Sequence, residues 1–454
     1  MTIPELYLLF LKHPVVTTDS RHCPSGSLFF ALKGETFDGN AFAEQALRLG
    51  CSYAIVDDAS IVTDERIILV DHVLSTLQQL ANFHRKNFKI PVIGITGTNG
   101  KTTTKELTNA VLKQKYNVLS TQGNLNNHIG VPLTLLRMTD EHEIAVIEMG
   151  ANHLGEIGEL TSILCPDFGL ITNVGYAHLE GFGSLEGVIK TKGALYDFLR
   201  ITNGAIFIHR ENHYLTAIAE GIKQITYGAM DKTNDGFAAV KDPASGIGNE
   251  NASLRDETSF TGGRTTAHYP FLSFEWHHNG GESYTIQTKL VGAYNLWNAL
   301  AAIAIGVYFD VPPEKINEAI TNYEPTNNRS QLKKTKHNNL IIDTYNANPS
   351  SMGAALENFA AMPYHPKAII LGDMRELGEK SDELHATVIK QVEACNFEKV
   401  LLCGEHFSAA GPQYVCFPAV EALNKHLEAN PLHGFHILIK GSRGISLEKS
   451  IELL

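Results

Sequence analysis

The sequence predicts an α/β protein of three domains, because it is too long for a single core and repeats a strand–helix rhythm in two separate stretches. Its 454 residues are about three times the length of a typical domain. In both stretches short apolar runs alternate with helical segments, which indicates parallel sheets covered by helices on both faces. The rhythm changes near residues 88 and 322, so we predict domains at 1–87, 88–321 and 322–454.

The composition is that of a globular protein, with 43% hydrophobic and 19% charged residues. A net charge of −12 argues against a protein held mainly by nucleic-acid phosphates, which would carry a basic excess. The longest apolar run, 299–309, is too short to cross a bilayer, and the six cysteines lack the spacing of a metal or redox motif. We therefore expect a cytoplasmic protein with no nucleic-acid partner and no membrane insertion, and we expect it to be a monomer.

The first 87 residues alternate short apolar runs with turns. Two strands and one helix are predicted there, at 27–32, 53–56 and 41–49 respectively, with Gly50 as the C-cap of the helix. Ser20, Arg21 and Lys33 form a polar set that we take as candidate substrate contacts, with ordinary surface charge as the alternative.

The middle and last thirds carry the strand–helix rhythm. Strands are predicted at 91–96, 117–120, 144–149, 168–173, 205–209, 271–276, 284–290, 340–343, 368–371, 400–403 and 437–439. Residues 229–266 are rich in Gly, Asn, Ser, Thr and Asp, which predicts an exposed insertion without chemistry. Ligands of doubly wound folds bind beyond the carboxyl ends of the strands, and most polar motifs of this chain fall there.

The strongest local motif is GITGTNGKTTT, from Gly94 to Thr104, which follows a strand and opens a helix. Glycines let backbone N–H groups point at phosphate oxygens, and the helix N-terminus adds positive potential. The lysine can reach the terminal phosphates and the threonine after it can offer its hydroxyl to Mg²⁺. Ile95 stands where the general pattern has glycine, so a plain glycine-rich turn is the alternative. The candidate ATP-binding residues here are Gly97, Thr98, Asn99, Gly100, Lys101, Thr102 and Thr103.

Two further side chains near strand ends, and one on a helix, are candidates for a chemical role. Glu148 ends an apolar strand, where a carboxylate beside the phosphates is a natural second contact for Mg²⁺; an N-cap is the alternative. His178 lies in a polar loop after another strand, although a lone histidine is more often structural. Lys192 lies on the next helix and, taken alone, has the pattern of a solvated lysine.

Four segments, GTNGKTTTKE, GNLNNHIGVPLTLL, IEMGANHLGEI and ITNVGYAHLEGFGS, resemble in order and spacing the Mur ligases of peptidoglycan synthesis. The resemblance spans essentially the whole chain except 229–266. It implies a UDP-substrate domain, a central P-loop-type ATPase domain with a parallel sheet, and a Rossmann-like C-terminal domain that closes over the site. DTYNANPSSM, LGDMRELG and KGSRG look like the branch that adds D-alanyl-D-alanine to UDP-N-acetylmuramoyl-tripeptide, with ATP and Mg²⁺ as cofactors.

The resemblance also implies roles for matching positions. Lys101, His178 and Lys192 would be catalytic, with Lys192 carbamylated by CO₂ so that it becomes a carboxylate-like metal ligand. The implied metal ligands are Thr102, Glu148, His178 and carbamylated Lys192. The implied nucleotide contacts outside the glycine motif are Asn295, Asn298, Arg329 and Asp343. The candidate substrate contacts are Ser20, Arg21, Lys33, Asn126, Asn127, Asn346, Asn348 and Ser351; the last three lie beyond a strand end, where the asparagines also suit a turn before a proline.

Two departures and several alternatives accompany this resemblance. The family usually has histidine where this chain has Tyr294 and Asn40, which affects the adenine and uridine contacts. The alternatives are a sister ligase that adds the third residue, folylpolyglutamate synthase, or a P-loop kinase or nucleotide-gated module. The later motifs and the absence of a DNPR motif argue against the sister enzymes. Lysine and diaminopimelate both stay open as the third residue of the acceptor peptide, and His385 is interpreted as a core or cap histidine.

The implied reaction turns a carboxylate into an acyl phosphate, which the amine of D-alanyl-D-alanine then attacks. Phosphoryl transfer needs positioning and charge neutralisation more than covalent help. We therefore expect Lys101 and two Mg²⁺ ions to neutralise the phosphates, while the sequence leaves the general base for the amine open.

Overall fold

The computed structural model describes residues 1–230, 259–266, 269–325 and 329–454. The strands within them form three sheets, which we call the N-terminal, central and C-terminal sheets, with four, nine and six strands. The sheets follow one another along the chain without exchanging strands. Among the described residues, no helix combines the length and apolarity needed to span a bilayer.

The N-terminal sheet is parallel throughout, in the order β1-β2-β3-β4. Its strands are β1 Val16–Thr17, β2 Leu28–Phe30, β3 Tyr53–Val56 and β4 Ile67–Leu69, and its helices are α1 Ile3–Lys12, α2 Ala43–Leu49 and α3 Val73–Lys86. The predicted helix begins later than expected because Gly39–Phe42 form a 3₁₀ turn capped by the Asp38 carboxylate. It ends as predicted at Gly50, whose φ of +124° is a conformation that favours glycine.

The central sheet has the order β13-β12-β11-β10-β9-β8-β5-β7-β6, parallel except at β11–β12 and β12–β13. Its strands are β5 Val92–Thr96, β6 Val118–Ser120, β7 Ile144–Glu148, β8 Phe168–Ile171, β9 Ala205–His209, β10 Lys223–Ala229, β11 Phe260–Thr266, β12 Phe271–His278 and β13 Ser283–Val291. Its helices are α4 Lys101–Leu112, α5 Gly130–Leu135, α6 Glu156–Leu164, α7 Leu179–Phe182, α8 Leu185–Thr202, α9 His213–Ala217, α10 Asn295–Tyr308 and α11 Pro313–Asn322.

The prediction of an exposed insertion at 229–266 is wrong at its end. Phe260–Thr266 is a strand inside the sheet, paired with β10 on one side and with β12 on the other. Its glycines were interpreted as loop residues, whereas Gly263 lets α10 pack closely on the strand: a Cβ there would lie 2.6 Å from Leu300 Cδ2. Residues 231–258 of the predicted insertion lie outside the described residues.

The apolar run near residue 300 forms the buried helix α10, as predicted. Its residues from Ala299 to Gly306 are all buried, because the helix is apolar around its whole circumference. It packs against α4, the helix that follows the glycine motif, and against strands β9 to β12. The N-terminus of α10 is therefore held beside the same end of the sheet as the N-terminus of α4.

The C-terminal sheet has the order β14-β15-β19-β16-β17-β18, with β14 antiparallel to β15 and the other pairs parallel. Its strands are β14 Gln331–Lys334, β15 Asn339–Asp343, β16 Lys367–Gly372, β17 Lys399–Cys403, β18 Val415–Phe417 and β19 His436–Lys440, and its helices are α12 Pro349–Ala361, α13 Ser381–Cys395, α14 Glu405–Ala410 and α15 Val420–Ala429. His385 is fully buried and its Nε2 accepts a hydrogen bond from the Met374 N–H, which confirms it as a core histidine.

Replacing Ile303 by alanine should destabilise the central sheet, because this side chain is 0% exposed in the middle of α10. We expect the free energy of unfolding to fall by about 2–4 kcal/mol through lost burial and the cavity left behind. Urea unfolding followed by tryptophan fluorescence measures the change. Ile201→Ala is the matched control, since Ile201 is 82% exposed; equal losses in the two variants would contradict this account of the core.

Candidate active site

A cavity of 710 Å³ lies between the carboxyl ends of the central strands and a second wall, which is formed by the residues just before β14, the loop after β15 and the last residue of β19. Most of the residues predicted for the site line it, although they come from distant parts of the chain. These residues are Thr98, Asn99, Gly100, Lys101, Thr102, Thr103, Asn126, Asn127, Glu148, His178, Asn295, Asn298, Arg329, Asp343, Asn346, Asn348 and Ser351. The cavity is therefore shared by the central and C-terminal sheets.

The glycine loop, residues 97–100 between β5 and α4, is anchored to the end of β8. The Asn99 N–H donates to Asn173 Oδ1 at 2.9 Å, and the Thr172 hydroxyl donates to the Asn99 carbonyl at 2.6 Å. Gly97 and Gly100 have φ values of +146° and +78°, where glycine is favoured. Gly100 also has no room for a side chain, since a Cβ there would lie 2.4 Å from Asn298 Oδ1.

Lys101, the first residue of α4, folds back over the glycine loop. Its Nζ donates to the carbonyl oxygens of Gly97 at 2.8 Å and of Thr98 at 3.1 Å. Burial lowers the pKa of Lys101 to about 8, opposed by the negative charge of Glu148 and assisted by the positive charge of Arg329. A phosphate in the cavity would favour the charged amine, because an opposite charge nearby offsets the cost of burial.

Glu148 is a carboxylate buried at the end of β7, where it is 1% exposed. Its Oε1 accepts hydrogen bonds from the Thr102 hydroxyl at 3.1 Å and from Asn126 Nδ2 at 2.8 Å. Its Oε2 is buried without a hydrogen-bond partner, which is unusual for a buried polar atom. Because Mg²⁺ takes carboxylate and hydroxyl oxygens, the Glu148 and Thr102 side chains fit a magnesium ion.

His178 lies in the loop after β8, as predicted, with a left-handed φ of +50°. Its Nδ1 contacts the carboxylate of Glu376, which lies in the loop after β16 of the C-terminal sheet. The hydrogen bond from His178 lowers the pKa of Glu376, and burial opposes this shift. The His178 side chain is thus held by a residue of the C-terminal sheet that is not itself among the residues lining the cavity and was not predicted as a site residue.

Lys192 is buried rather than solvated, contrary to its local sequence pattern. It is 2% exposed on α8, and its Nζ lies 5.5 Å from the centre of the Phe182 ring. Burial lowers the pKa of Lys192 well below its ordinary value, and the charge of Lys101 lowers it further. Lys192 is not among the residues that line the cavity, and within the described ranges no three His, Cys, Asp or Glu side chains are grouped as metal ligands.

Asn295 and Asn298 form a buried polar chain at the N-terminus of α10. Asn298 Oδ1 accepts from the Thr104 hydroxyl at 3.1 Å, and Asn298 Nδ2 donates to Asn295 Oδ1 at 2.8 Å. Asn295 Nδ2 in turn donates to the Val291 carbonyl at 2.9 Å. This chain fixes the wall of the cavity beside the glycine loop.

The C-terminal sheet contributes charged residues to the opposite wall. Lys440 Nζ donates to Asp343 Oδ2 at 2.5 Å, and these residues end the adjacent strands β19 and β15. The Arg329 guanidinium lies 3.7 Å from the centre of the Tyr345 ring. Its Nε is buried without a hydrogen-bond partner, so the side chain retains donor capacity next to the cavity.

The two sheets meet directly at the glycine loop through what we call the Asn99 contact, formed by Asn99, Asn348 and Ser350. Asn348 Nδ2 donates to Asn99 Oδ1 at 2.7 Å, and Asn99 Nδ2 donates to the Ser350 hydroxyl at 3.3 Å. Asn348 also caps α12, since its Oδ1 accepts from the Ser351 N–H at 2.9 Å. Asn127 similarly accepts from the Gly130 N–H at 2.8 Å at the start of α5. Both candidate substrate residues therefore have structural partners.

Three candidate substrate contacts, Ser20, Arg21 and Lys33, are not among the residues that line the cavity. Arg21 pairs with Asp19 at 2.9 Å, and Lys33 pairs with Asp57 at 3.0 Å. Asn40, where the family usually has histidine, is buried, and its Nδ2 donates to Asp57 Oδ1 at 2.8 Å. The substrate roles of these N-terminal residues stay predictions.

The cavity also contains functional candidates that the sequence analysis missed. Asn173, Tyr345, Ser350 and Lys440 line the cavity or contact the glycine loop. Position offered a signal for two of them, since Lys440 is the last residue of a strand and Asn173 follows one by two residues. Glu376 gave no such signal, because only the packing of the two sheets brings it to His178.

Comparison with known proteins places the whole described architecture in one family. Residues 14–96, 95–306 and 328–443 match segments described as the Mur ligase family catalytic domain, the Mur ligase middle domain and the Mur ligase glutamate ligase domain. The UDP-N-acetylmuramoyl-tripeptide–D-alanyl-D-alanine ligase of Bacillus subtilis (strain 168) is 35% identical, over 96% of this chain and 92% of that protein.

Solved structures give the same result. A crystal structure of MurF from Acinetobacter baumannii superposes with a TM-score of 0.82 at 28% identity, covering 96% of this chain and 92% of that one. MurF from Thermotoga maritima in complex with ADP superposes with a TM-score of 0.81 at 25% identity, covering 98% and 97%. The similarity therefore extends over all three sheets.

Replacing Gly100 by alanine should weaken nucleotide binding, because the added Cβ would meet Asn298 Oδ1 at 2.4 Å in addition to straining a φ of +78°. We expect the Kd for ADP, measured by calorimetry, to rise at least about tenfold, the effect of roughly 1.4 kcal/mol. Gly434→Ala is the matched control, since Gly434 has the same φ of +78° and nothing within 4 Å of its added Cβ. Equal affinities in the two variants would contradict the close contact.

Proposed function

The chain belongs to the Mur ligase family, and we propose that it joins D-alanyl-D-alanine to UDP-N-acetylmuramoyl-tripeptide in an ATP-dependent reaction. The observation that carries the proposal is similarity over 96% of the chain to an enzyme of that name. The cavity supports it independently, because a glycine loop, a buried carboxylate and cationic side chains from a second sheet converge there. Such a set suits the transfer of a phosphoryl group to a carboxylate.

Lys101 and the glycine loop are proposed to bind the phosphates of ATP. The loop N–H groups and the N-terminus of α4 favour negative charge, and the amine of Lys101 can exchange its two carbonyl partners for phosphate oxygens. Asn295 and Asn298 are proposed to flank the adenine side, and Arg329 and Asp343 to contact the nucleotide from the C-terminal sheet. The residues then need only hold donor and acceptor in line, since phosphoryl transfer depends on positioning.

Glu148 and Thr102 are the residues that would hold magnesium, which when bound would neutralise developing charge on the phosphates. The Glu148 carboxylate accepts from Asn126 and Thr102 through one oxygen, so the other oxygen is fixed in orientation. A second ion would involve His178 and a carbamate on Lys192. The depressed pKa of Lys192 supports this, because only a neutral amine reacts with CO₂.

The acyl phosphate formed in this way would react with the amine of the dipeptide. The amine attacks the acyl carbon, the C–O bond to phosphate breaks, and the amine proton passes to a base. Asn346, Asn348 and Ser351 remain proposed contacts of the dipeptide or nucleotide, and Asn126 and Asn127 of the tripeptide. Ser20, Arg21 and Lys33 remain proposed contacts of the UDP group.

The domain roles, the location in the cell and the oligomeric state are proposed from the same similarity to Mur ligases. We propose that domains 1–87, 88–321 and 322–454 bind the UDP-substrate, bind ATP and close over the site, respectively. The substrates are small soluble molecules, so a cytoplasmic monomer fits the proposed reaction. The third residue of the tripeptide is lysine or diaminopimelate, and the ligation assay with each substrate distinguishes them.

The decisive experiment is amide formation from purified UDP-tripeptide, D-alanyl-D-alanine and ATP, followed by chromatography and phosphate release. A ligase should release phosphate rapidly only when both substrates are present, and other amines serve as controls. A kinase would instead leave a stable phosphorylated product with no need for the dipeptide. That second outcome would overturn the proposed function.

Replacing Lys192 by alanine should abolish most ligase activity, and short carboxylates such as acetate should restore part of it by occupying the place of a carbamate. We expect a loss of about a hundredfold or more, as for other preorganised electrostatic contacts. A second readout is carbon-13 NMR after incubation with labelled bicarbonate, where the wild type should show a carbamate signal that Lys192→Ala lacks. Lys190→Ala is the control, since Lys190 is an exposed lysine on the same helix. A signal that survives in Lys192→Ala would contradict the assignment.

A further inference from the structure

Besides the Asn99 contact, a hydrogen bond between the side chains of Tyr294 and Ser330 joins the central and C-terminal sheets at the cavity. The Tyr294 hydroxyl lies 2.7 Å from the Ser330 hydroxyl oxygen. Tyr294 immediately precedes α10 of the central sheet, and Ser330 immediately precedes β14 of the C-terminal sheet. Both residues line the cavity, so the bond spans the boundary at the place where the nucleotide is proposed to bind.

Ser330 is held in a restricted conformation next to Arg329. It is 8% exposed and has a left-handed φ of +47°, which a non-glycine residue rarely adopts without support from its surroundings. Arg329 is the preceding residue, so the backbone conformation of Ser330 sets the direction in which the Arg329 side chain leaves the chain. The Tyr345 ring supports the guanidinium from one side at 3.7 Å.

Tyr294 is also linked to the glycine loop through neighbouring residues. The next residue, Asn295, is linked through Asn298 to Thr104 of α4, which ties this part of the chain to the glycine loop. Burial raises the pKa of Tyr294, and the charge of Asp343 raises it further. The phenol therefore keeps its proton at neutral pH and stays able to form the hydrogen bond.

We propose that Tyr294 is a positioning residue that holds Arg329 against the bound nucleotide by fixing Ser330. The proposal rests on the proposed function for the identity of the ligand. It gives a role to the position where the family resemblance leads one to expect histidine. The hydroxyl of the tyrosine, rather than its ring, is the group that acts.

Tyr294→Phe tests this directly, since it removes the hydroxyl and keeps the ring. One lost hydrogen bond between neutral groups corresponds to about a threefold to tenfold change. We expect the KM for ATP and the Kd for ADP to rise by that factor, with the KM for the tripeptide unchanged. Tyr116→Phe is the matched control, because its hydroxyl donates to the Phe309 carbonyl at the same 2.7 Å and is remote from the cavity.

Combined variants test the route through Ser330 and Arg329. Ser330→Ala should reproduce the effect of Tyr294→Phe, and the double variant should be no worse than either single one. In an Arg329→Ala background, Tyr294→Phe should change the Kd for ADP by less than about twofold, because the residue that it positions is already gone. Additive effects in either combination would overturn the proposal.

Two further outcomes separate this proposal from its alternatives. If Tyr294→Phe binds ADP normally while Tyr294→Ala does not, the ring packs on the base and the hydrogen bond has no positioning role. The calorimetric Kd for ADP does not depend on ligation. If the wild-type protein binds ADP but forms no amide, the proposed function is wrong, and the role of Tyr294 is still tested by the Kd for ADP of its variants.

Discussion

The site depends on a carboxylate that the fold buries without fully compensating its charge. Glu148 ends β7, which lies between β5 and the edge strand β6 of the central sheet, and only one of its two oxygens has hydrogen-bond partners. A buried ion is costly unless it is paired, so the position is understandable only beside a cation. Thr102 and Asn126 hold one oxygen in place and leave the other free to coordinate. The glycine loop, Lys101 and the polar side chains around them are then arranged about the same point, where phosphates and a metal ion can neutralise one another.

Much of this arrangement could be predicted because it follows from strand position. Glu148 ends a strand, the glycine loop connects a strand to a helix, and His178 lies in the loop after β8, all in the central sheet. Parallel strands bring such ends to one edge of a sheet, so a linear pattern is enough to group them. Strands whose apolar runs are buried on both faces, such as Val92–Thr96 and Ile144–Glu148, could be predicted equally well. Strands that are partly exposed, such as Lys223–Ala229 and Gln331–Lys334, were not predicted. The strand pattern predicted only that these positions lie close together, and the resemblance to the Mur ligases then implied a chemical role for each.

The features that could not be predicted depend on contacts between distant parts of the chain, which no local sequence pattern reveals. Lys192 has the sequence surroundings of a solvated lysine and is buried only because α8 packs with that face inward. Glu376 reaches His178 from the other sheet. The strand Phe260–Thr266 was taken for a loop because its glycines suit one, whereas Gly263 is needed there for the space that it leaves for Leu300. In each case the local sequence supports one prediction, and packing between distant parts of the chain produces a different structure.

Asn99 belongs to both halves of the cavity, since its backbone is bonded to the end of β8 and its side chain to the start of α12. Any nucleotide that moves the glycine loop must therefore alter the free energy of that interdomain bond. By thermodynamic linkage the effect is reciprocal. If bound nucleotide strengthens the contact between the sheets by some factor, that contact raises the affinity for nucleotide by the same factor. A ligand that contacts only the glycine loop should consequently be coupled less strongly to the contact between the two sheets than a ligand that also contacts Asn348.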